Sequence, residues 1–572
     1  MKKLLTLALT IALLLGTVTL AFAAEPPAES SLGFAVASDL HYKSPRPELE
    51  INIAYEPVLW YANRRCAMED ESGYIIDEFL RQCAENPDCE FVLISGDLAD
   101  SGRTRPEDHL VVAQKLRDFE LHSGKQVFVI NGNHDASIDS NTNYELFKEI
   151  YAEFGYNEAL EIRSEDCSYT ADLSEKYRLI ALDSNHPRKS TEDGITSDKL
   201  SWVRQQAKRC RDEGKYPILM MHHNLLEHLP MQRIISRNFI IKNHLVTAER
   251  FANWGIKMVL TGHEHCNDAT VFTSAQGNKL YDFATTSLTM FPLQYRFFSL
   301  SDAEIKYENK TVESFDFAAL TENTAGYTSE MLDLMRADLY AYSKAFLKAG
   351  VRYRLSRDLN VEKMGVNEGD PHYEIVATAV NNLTKLLEMP FYGEDSVSAL
   401  AASFGISLPE TEYQNGWELI GELMAWHYAG EEPFDMNETP QVTLLLRTAA
   451  CIVKKELADV SDVSVFKAAN SLLEKREGEG LGNQLAQLCA KSFGAYTPFE
   501  YLVAAIAAPI AYSFTYDSDS VPDNFGAIEG YGAETDRLAN LSEGLRAFFE
   551  RLELYLRLIM QYLLGVITQH FN

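Results

Sequence analysis

The stretch VFVINGNHD, residues 127–135, decides how the first half of this chain folds. It opens with an unbroken run of β-branched, aromatic and aliphatic side chains, which is typical of a strand covered on both faces. The run stops at a glycine, and Asn133, His134 and Asp135 follow at once. An amide, an imidazole and a carboxylate directly after a buried strand indicate a polar site at the end of that strand.

Five other apolar runs of the same kind occur before residue 265. Helix-like segments, residues 74–83, 110–121 and 198–210, lie between several of them. Because strands that alternate with helices build a sheet covered by helices, the pattern predicts an α/β layered domain. The six predicted strands are Phe34–Ser38, Phe91–Ser95, Val127–Asn131, Tyr177–Leu182, Tyr216–Met221 and Ile256–Thr261.

Five of the six runs lead into residues of the types that bind metal ions. Ligands at the carboxyl ends of strands fall on one edge of a sheet, where α/β folds place their sites. Eleven of the 14 histidines lie at or before residue 265, and purely structural histidines would not explain this crowding. The residues at these ends are Asp39 and His41, Asp97, Asn133 with His134 and Asp135, His222 with His223, and His263 and His265.

The ordered set D-x-H, G-D, G-N-H-D, a histidine after a strand and G-H-x-H resembles the calcineurin-like metallophosphoesterase superfamily over about residues 33–300. The resemblance implies a β-sandwich flanked by helices. It implies that Asp39, His41 and His265 hold one metal ion. It implies that Asn133, His222 and His263 hold a second ion, with Asp97 bridging the two. His222 fits the family position better than His223. His134 would lie beside the substrate, and Asp135 would orient it.

The chemistry of a phosphate ester suits such a ligand set. Two cations about 3.5–4 Å apart screen the phosphate charge, clamp the reacting oxygens and acidify a water molecule. Mixed oxygen and imidazole ligands favour Mn, Fe, Zn or Co over Ca or Mg. His134 could then serve as a general acid for the leaving oxygen. The expected activity is metal-dependent hydrolysis of a phosphomonoester or phosphodiester, and the ligands do not distinguish between these substrates.

Several other polar residues lie near the motifs. His223 is expected behind the ligands or facing the substrate. Asp183 ends a strand and is either a turn residue or a residue near the site. Arg103, Arg105 and Arg188 could contact phosphate, although arginines of this kind are more often solvated surface charges.

Two further groups have ordinary explanations. Cys83 and Cys89 flank a turn-like stretch, so they either form a disulfide bond or are small core residues. Asp517, Asp519 and Asp523 make a loosely calcium-like cluster. That cluster lacks the glutamate at the twelfth position of an EF-hand loop, so a solvated loop is the better interpretation.

The first 23 residues have the pattern of a secretory signal peptide. Lys2 and Lys3 precede an apolar run, and Ala21-Phe22-Ala23 is a small-x-small cleavage signal. The alternative is an uncleaved membrane anchor. The apolar stretch at residues 501–514 is too short to span a bilayer, so we expect no transmembrane span in the mature chain and an extracytoplasmic or secreted protein.

The pattern changes in the second half of the chain. Strand-like runs at residues 269–273, 279–285 and 295–300 follow the last motif, and sheet structure is expected to finish near residue 312. We predict a metallophosphoesterase domain at residues 30–312 and a mainly α-helical C-terminal domain at residues 330–572. A stripe of apolar residues from Leu545 to Val566 predicts a terminal helix, which either packs within its own bundle or mediates self-association.

The formal net charge is −31, with 83 acidic and 52 basic residues. A surface this acidic repels phosphate backbones, so no stable binding of nucleic acid is expected. An anionic phosphate-ester substrate would therefore depend on metal ions for local positive charge. The alternative function is an extracytoplasmic binding or scaffold protein whose helical C-terminal domain engages a partner, and the intact ligand set argues against it.

Overall fold

The computed structural model describes residues 31–44, 66–189, 193–229, 232–318, 320, 329–432, 440–477, 497–513, 517 and 520–532. All but one of the strands of two β-sheets lie between Leu32 and Thr311, and a helical region begins at Ser329. The expected fold class, an α/β sandwich of sheets followed by a mainly helical region, is confirmed. The division into domains at residues 312–330 remains a prediction.

The first sheet contains six strands. They are β1 (Leu32–Ala37), β2 (Phe91–Ile94), β3 (Gln126–Val129), β11 (Gln294–Leu300), β12 (Glu304–Thr311) and β13 (Phe525–Glu529). Their order across the sheet is β13-β12-β11-β1-β2-β3. β1, β2 and β3 run parallel, whereas β11, β12 and β13 join by antiparallel pairing. The three strands that lead into the first three motifs are therefore neighbours with their carboxyl ends on one edge.

The second sheet contains seven strands. They are β4 (Glu161–Ile162), β5 (Tyr169–Asp172), β6 (Tyr177–Leu182), β7 (Tyr216–Met221), β8 (Met258–Thr261), β9 (Asp268–Thr273) and β10 (Lys279–Ala284). Their order is β4-β5-β6-β7-β8-β10-β9, and β6, β7, β8 and β10 are parallel. The sequence did not predict β4 and β5, which are short and pair at the sheet edge.

The two sheets pack face to face around a common apolar core. Phe283 of β10 and Phe298 of β11 meet edge to face with ring centroids 5.1 Å apart. Along β6, Leu179 belongs to this common core, whereas Ile180 packs beneath helices on the opposite face. This alternation is what the period of two in a strand requires. The helices of the first half are α1 (Ser72–Glu85), α2 (Pro106–Ser123), α3 (Tyr144–Ile150), α4 (Ser197–Asp212), α5 (Gln232–Ile235) and α6 (His244–Asn253).

The helical region packs against the sheet region through a shared core. Cys266, Met290 and Phe291 of the first half lie in the same buried cluster as Leu423 and Val453 of the helices. Burial on both sides of this contact joins the two halves by hydrophobic packing. The helices are α7 (Ser329–Ala337), α8 (Leu339–Asp358), α9 (Tyr373–Glu388), α10 (Val397–Ser403), α11 (Gly416–Ala429), α12 (Pro440–Glu456), α13 (Asp462–Glu477) and α14 (Pro498–Ser513).

The expectation that sheet structure finishes near residue 312 is wrong. Strand β13 returns from the C-terminal region to pair with β12, with Ile528 opposite Ile305. The Tyr307 hydroxyl donates a hydrogen bond to the Pro522 carbonyl at 2.6 Å and helps to fix this return. The strand has only five residues, and its partner lies more than 200 positions earlier, so no local pattern could have indicated the pairing.

Other expectations have mixed outcomes. Cys83 and Cys89 are buried free thiols rather than a disulfide bond. The predicted signal peptide at residues 1–23 and the predicted terminal helix from Leu545 to Val566 lie outside the described residues. No helix in the described part of the chain combines the length and the apolar character that a bilayer crossing requires.

Candidate metal centre

The polar residues that follow five strands converge where the two sheets meet. Asp39 and His41 follow β1, Asp97 follows β2, and Asn133 follows β3, all in the first sheet. The histidines after β7 and β8 approach from the second sheet. We call this set the strand-end site; its members are Asp39, His41, Asp97, Asn133, His222, His263 and His265.

The backbone of the strand-end site is strained. Of the eight described non-glycine residues with positive φ, five belong to this site, with φ between 41° and 69°. Left-handed backbone is uncommon for residues with a Cβ atom and concentrates at functional sites. The surrounding sheets therefore hold this loop geometry against its local preference. The five residues are Asp39, His41, Asp97, His263 and His265.

Two motif glycines are required by close approach. A Cβ atom on Gly132 would lie 2.1 Å from Oδ1 of Asp97, and one on Gly262 would lie 1.8 Å from the hydroxyl oxygen of Ser38. Any larger residue at either position would displace an aspartate loop. The glycines of the G-N-H-D and G-H-x-H motifs therefore act by leaving room for the carboxylates.

The first group of candidate ligands contains Asp39, His41 and His265. Nε2 of His265 lies 3.1 Å from Oδ1 of Asp39, and Nε2 of His41 lies 3.7 Å from the same oxygen. The two imidazole Nε2 atoms are 3.2 Å apart. Asp39 and His41 are almost completely buried, at 0% and 1% exposure. The three side chains thus direct one ligand atom each to a common point.

The second group contains Asp97, Asn133, His222 and His263. Nε2 of His222 lies 2.9 Å from the Asn133 side-chain oxygen and 3.3 Å from Oδ2 of Asp97. Asp97, His222 and His263 direct ligand atoms to one point, and Asp97 also lies 3.8 Å from Nε2 of His41 in the first group. Asp97 is therefore the carboxylate between the two groups.

The two aspartates and His222 stabilise one another electrostatically. Burial alone would raise the pKa of Asp39, but His265 and His222 outweigh it and hold the pKa well below the ordinary value. Burial lowers the pKa of His222, but Asp97 and Asp39 outweigh it and raise the pKa to about 9. The pKa of His263 is lowered to about 3 by burial and by His222. The carboxylates are ionised and call for positive charge in the site.

The donor set fits metal cations. His222 donates its Nδ1 hydrogen to the Ser95 carbonyl at 3.0 Å, so its Nε2 faces the oxygens of Asn133 and Asp97 and would bind a cation in place of its proton. The facing Nε2 atoms of His41 and His265 present the same arrangement. Lone pairs that converge in a buried place require protons or a cation between them. Carboxylate, amide and imidazole ligands suit transition metals.

His134 lies at the rim of the site. Its Nδ1 donates a hydrogen bond to the Asp100 carbonyl at 2.7 Å, and its backbone N–H donates one to Oδ1 of Asp97 at 2.8 Å. Nε2 lies 4.0 Å from Oδ2 of Asp97, and 28% of the side chain is exposed. The ring is thus fixed through Nδ1, while Nε2 faces Asp97 at the partly exposed rim of the site.

Asp135 acts on the loop backbone. Its carboxylate accepts hydrogen bonds from the Gly132 N–H at 2.7 Å and from the Ala99 N–H at 3.1 Å. Burial and Asp97 raise the pKa of Asp135 to about 7. The resemblance implied that Asp135 orients the His134 ring, but the Asp100 carbonyl holds that ring directly. Asp135 instead fixes the loops that carry Asp97 and His134.

The remaining predicted residues divide into two groups. Arg103 is half-buried close enough to Asp97 to feel its charge, and its Nε and Nη2 atoms are buried without hydrogen-bond partners. Arg105 pairs with Asp108 on α2, and Arg188 pairs with Asp139 at the surface, so neither is in the site. The Asp183 carboxylate accepts hydrogen bonds from the backbone of Asn185 and Cys167, which is the behaviour of a turn residue.

His223 lies behind the ligands, which is one of the two positions that the sequence predicted for it. Its Nδ1 is 2.9 Å from the Ser184 hydroxyl, and its ring centroid is 4.5 Å from that of His263. Other supporting residues were missed. The Ser287 hydroxyl donates to the Asp39 carbonyl at 2.7 Å, and Nε2 of His109 donates to the Asp135 carbonyl at 3.1 Å. Serines and a lone helix histidine carry no local signal for such roles.

Comparison with known proteins identifies the class of the first half. Residues 32–267 match the family model of the calcineurin-like phosphoesterases. The N-terminal half therefore carries a calcineurin-like phosphoesterase domain, and the resemblance drawn from the motifs is confirmed. The match leaves the helical region outside it. It supports a phosphoesterase hydrolase, and the family implies metal ions.

Among solved structures, the chain is similar to a dimetal phosphatase from Danio rerio at 11% identity, over 49% of this chain and 96% of that chain, with a TM-score of 0.35. It is also similar to a conserved uncharacterized protein, titled a predicted phosphoesterase, from Streptococcus pneumoniae at 11% identity, 50% and 91% coverage and a TM-score of 0.22. A third, Vacuolar Protein Sorting 29 from Cryptosporidium parvum, shows 9% identity, 50% and 93% coverage and a TM-score of 0.21. No curated protein matches this chain in sequence.

Proposed function

We propose that this protein is an exported, dinuclear-metal phosphoesterase that hydrolyses a phosphomonoester or a phosphodiester. The observation that supports the proposal is the pair of ligand groups joined by one carboxylate. Asp39, His41 and His265 form one group, and Asp97, His222 and His263 form another within the phosphoesterase family match. Asn133 adds its side-chain oxygen to the second group, 2.9 Å from Nε2 of His222.

Two transition-metal ions, of Mn, Fe, Zn or Co, would neutralise the phosphate charge and supply hydroxide near neutral pH. The chain's own residues set the charge of the site. Asp39 and Asp97 provide the only two carboxylates among the seven proposed ligands, and Asn133 is neutral. The ligand set therefore leaves a loaded site net positive, which suits an anionic substrate on a chain with a net charge of −31.

His134 is proposed as the general acid. The bond from Nδ1 to the Asp100 carbonyl fixes the ring, and an imidazolium in this orientation carries its second proton on Nε2. That proton would pass to the leaving oxygen as the ester bond breaks. A positioned acid of this kind contributes roughly 10²- to 10⁴-fold to the rate.

The test is hydrolysis of p-nitrophenyl phosphate and bis(p-nitrophenyl) phosphate by the purified protein. The protein is first stripped with a chelator and then supplied with Mn²⁺, Fe²⁺, Zn²⁺ or Co²⁺. We expect activity to vanish on stripping and to return with about two ions per chain by elemental analysis. Turnover that persists in the stripped protein would refute the proposal. The ratio of the two rates decides between monoester and diester chemistry.

Export is the second part of the proposal, and the sequence of the first 23 residues supports it. Expression of the full chain in a bacterial host with Sec-dependent secretion tests it. Mass spectrometry of the product outside the cytoplasm is expected to show an N-terminus at Ala24. Replacing Leu13, Leu14 and Leu15 with arginine is the matched control, since it removes the apolar run and should leave the product in the cytoplasm. Retention of the natural chain in the cytoplasm at full length would overturn export.

A further inference from the structure

A cleft lined by basic residues lies beside the strand-end site. Its volume is about 780 Å³, which is within the range of roughly 300–1,000 Å³ that is usual for small-molecule sites. None of the described residues that line it is acidic, although the chain has a net charge of −31. We call it the basic cleft; its polar lining residues are Arg233, Arg237, Asn238, Lys242, Asn243 and His244.

The acidic residues that the sequence grouped in a loop lie at a different place. Asp517 and Asp523 meet Asp268 of β9, with ligand atoms within 4.8 Å of one another. Oδ1 of Asp523 accepts a hydrogen bond from the Ala269 N–H at 2.9 Å. The expectation of a solvated loop is therefore wrong for Asp523, because β13 brings its loop onto β9. Asp519 lies outside the described residues.

Backbone hydrogen bonds fix the basic cleft to the strand-end site. The Asn238 carbonyl lies 3.3 Å from Nε2 of His263, and the Phe239 ring stacks on the His263 ring with centroids 4.4 Å apart. Asn224, which follows the histidines after β7, donates its N–H to the Phe239 carbonyl at 3.0 Å. Its carbonyl accepts from the Ile241 N–H at 3.0 Å. Asn238 thus lines the cleft and also contacts a proposed metal ligand.

Helix α6 begins in the basic cleft with an uncapped first turn. The N-cap residue, Asn243, has left-handed backbone with φ of 55°, and its side chain makes no capping hydrogen bond. The first turn contains no acidic residue, and Leu245 and Val246 of this turn line the cleft. The N-terminus of a helix carries partial positive charge and unpaired N–H groups, which favour a bound phosphate.

His244 supplies an independent sign of a ligand. Only 9% of its side chain is exposed, and Nε2 is buried without a hydrogen-bond partner. The nearby carboxylate of Glu227 lies 4.0 Å from Nε2, beyond hydrogen-bond distance. Burial and the charge of Arg233 lower the pKa of His244 to about 4, so the ring is neutral near pH 7. An oxygen of an anion in the cleft would accept the hydrogen bond that Nε2 lacks when this atom carries the ring proton.

The three cations of the cleft differ in their partners. Nε of Arg233 lies 3.8 Å from Oε1 of Glu227. Lys242 has contacts of its own, and its backbone N–H donates to Oδ2 of Asp193 at 3.1 Å. Arg237 is exposed, and its guanidinium has no ion pair with another described residue. Arg237, the first turn of α6 and the His244 ring are therefore the groups that can hold an anion.

We propose that the basic cleft binds a second phosphate of the substrate, while the phosphate ester to be hydrolysed lies at the strand-end site. This inference rests on the proposed function. A guanidinium, helix N–H groups and an imidazole are donors that bind phosphate oxygens. The four remaining lining residues are aliphatic, which suits a carbon chain between the two phosphates. The preferred substrate is thus a bisphosphate rather than a simple monoester.

Titration with α,ω-alkane bisphosphonates tests the inference, because their C–P bonds are not hydrolysed. The mature chain is loaded with Zn²⁺, and bisphosphonates of increasing chain length are compared with alkyl monophosphonates of the same length by isothermal titration. We expect the best bisphosphonate to bind at least about 10-fold more tightly than its monophosphonate, since it gains hydrogen bonds from charged groups. The affinity ratio of the two ligands is the quantity that decides.

Two variants should lower this ratio to about threefold or less. Arg237→Gln removes the cation. Val246→Asp places a carboxylate in the first turn of α6, where it stabilises the helix but repels a phosphate; Val246 is 54% exposed, so the fold should tolerate it. Arg250→Gln is the matched control, because Arg250 is exposed at the other end of α6 and should leave the ratio unchanged. Circular dichroism confirms folding.

The inference is wrong if no bisphosphonate binds more tightly than its monophosphonate, or if Arg237→Gln and Val246→Asp keep the ratio of Arg250→Gln. A phosphonocarboxylate that binds as tightly as the bisphosphonate would overturn the assignment of a phosphate. Turnover of p-nitrophenyl phosphate is measured on the same preparation. Turnover without a bisphosphonate preference refutes this inference alone, whereas the preference without turnover supports the cleft and refutes the proposed hydrolysis.

Discussion

The strand-end site and the acidic group of Asp268, Asp517 and Asp523, which we call the carboxylate cluster, are both polar, but they are assembled in different ways. Each residue of the strand-end site directly follows a strand, within the first 265 residues of the chain. The carboxylate cluster takes Asp268 from a strand and Asp523 from a loop 255 positions later (523 − 268). Local sequence motifs therefore indicate the strand-end site, whereas the carboxylate cluster depends on a tertiary contact.

The difference has a physical cause. Parallel strands bring their carboxyl ends to one edge of their own sheet, so a motif at each strand end is enough to build a site once the two sheets pack together. The carboxylate cluster forms only if β13 returns to β12 and the helices pack on Cys266, Met290 and Phe291. Substitutions that weaken the packing between the two halves should therefore disturb the carboxylate cluster. Substitutions in the loops of the strand-end site should disturb that site.

The largest expected effect is confined to the strand-end site. Asp97→Asn removes the charge shared by both ligand groups, so we expect esterase activity to fall by about 10⁴-fold or more, equivalent to about 5 kcal/mol. Steady-state rates measure the outcome. Asp333→Asn is the control, since that side chain is 76% exposed and far in sequence from both sites. Full activity in Asp97→Asn would contradict the ligand assignment.

A smaller loss is expected from His134→Gln, which leaves every proposed ligand in place. Loss of the general acid should lower kcat within the range of about 10²- to 10⁴-fold. Metal content by elemental analysis should match the natural protein. His122→Gln is the control, because His122 is an exposed residue at the end of α2. An unchanged kcat, or a loss of bound metal, would show that His134 has a different role.

Asp135→Asn tests whether loop anchoring supports the strand-end site. Asparagine keeps the shape but places an amide hydrogen against one of two backbone donors, Gly132 N–H or Ala99 N–H. We expect a loss of about 10- to 100-fold in metal affinity or activity, the size typical of groups that hold metal ligands in place. Competition with a metal-sensitive dye measures affinity. Asp139→Asn, 66% exposed, should be silent. Equal affinities in the two variants would refute the anchoring role.

The smallest expected effect is a pH dependence of stability at the carboxylate cluster. Burial lowers the pKa of His228, but Asp282 and Asp268 outweigh it and raise the pKa from 6.5 to about 10. A raised pKa means that the stabilisation is complete below about pH 6.5 and is lost as pH rises toward 10. We expect the free energy of unfolding to fall by up to about 1.4 kcal/mol per pH unit in this window.

His228→Gln should flatten that dependence, and urea unfolding at pH 7, 8 and 9 measures it. His244→Gln is the control, because burial lowers the pKa of His244 to about 4 and the ring stays neutral throughout this range. A slope that is the same in both variants would show that another group titrates.

Much of the sheet region could be predicted from local pattern. The six apolar runs before residue 265 coincide with strands, because a fully buried strand needs an uninterrupted apolar segment. The helices after Ser72, Pro106 and Ser197 were also anticipated. Strands β4 and β5 were not, since β4 has only two residues and β5, Tyr169–Asp172, is not an uninterrupted apolar segment. The roles of Ser287 and His109 were invisible, because each donates a hydrogen bond to a distant backbone carbonyl. The role of Asp100 was invisible because its own backbone carbonyl accepts from the His134 ring.

By itself, the sequence determined the class of fold and the seven residues that the fold brings to one edge, from Asp39 to His265. Each motif lies next to its own strand, so local propensity and burial suffice to place it. Only the tertiary structure decided that Asp135 holds loops, that β13 completes the first sheet, and that Asp268, Asp517 and Asp523 become neighbours. Those relations depend on contacts between segments far apart in the chain. Such contacts produce no periodic pattern in the sequence.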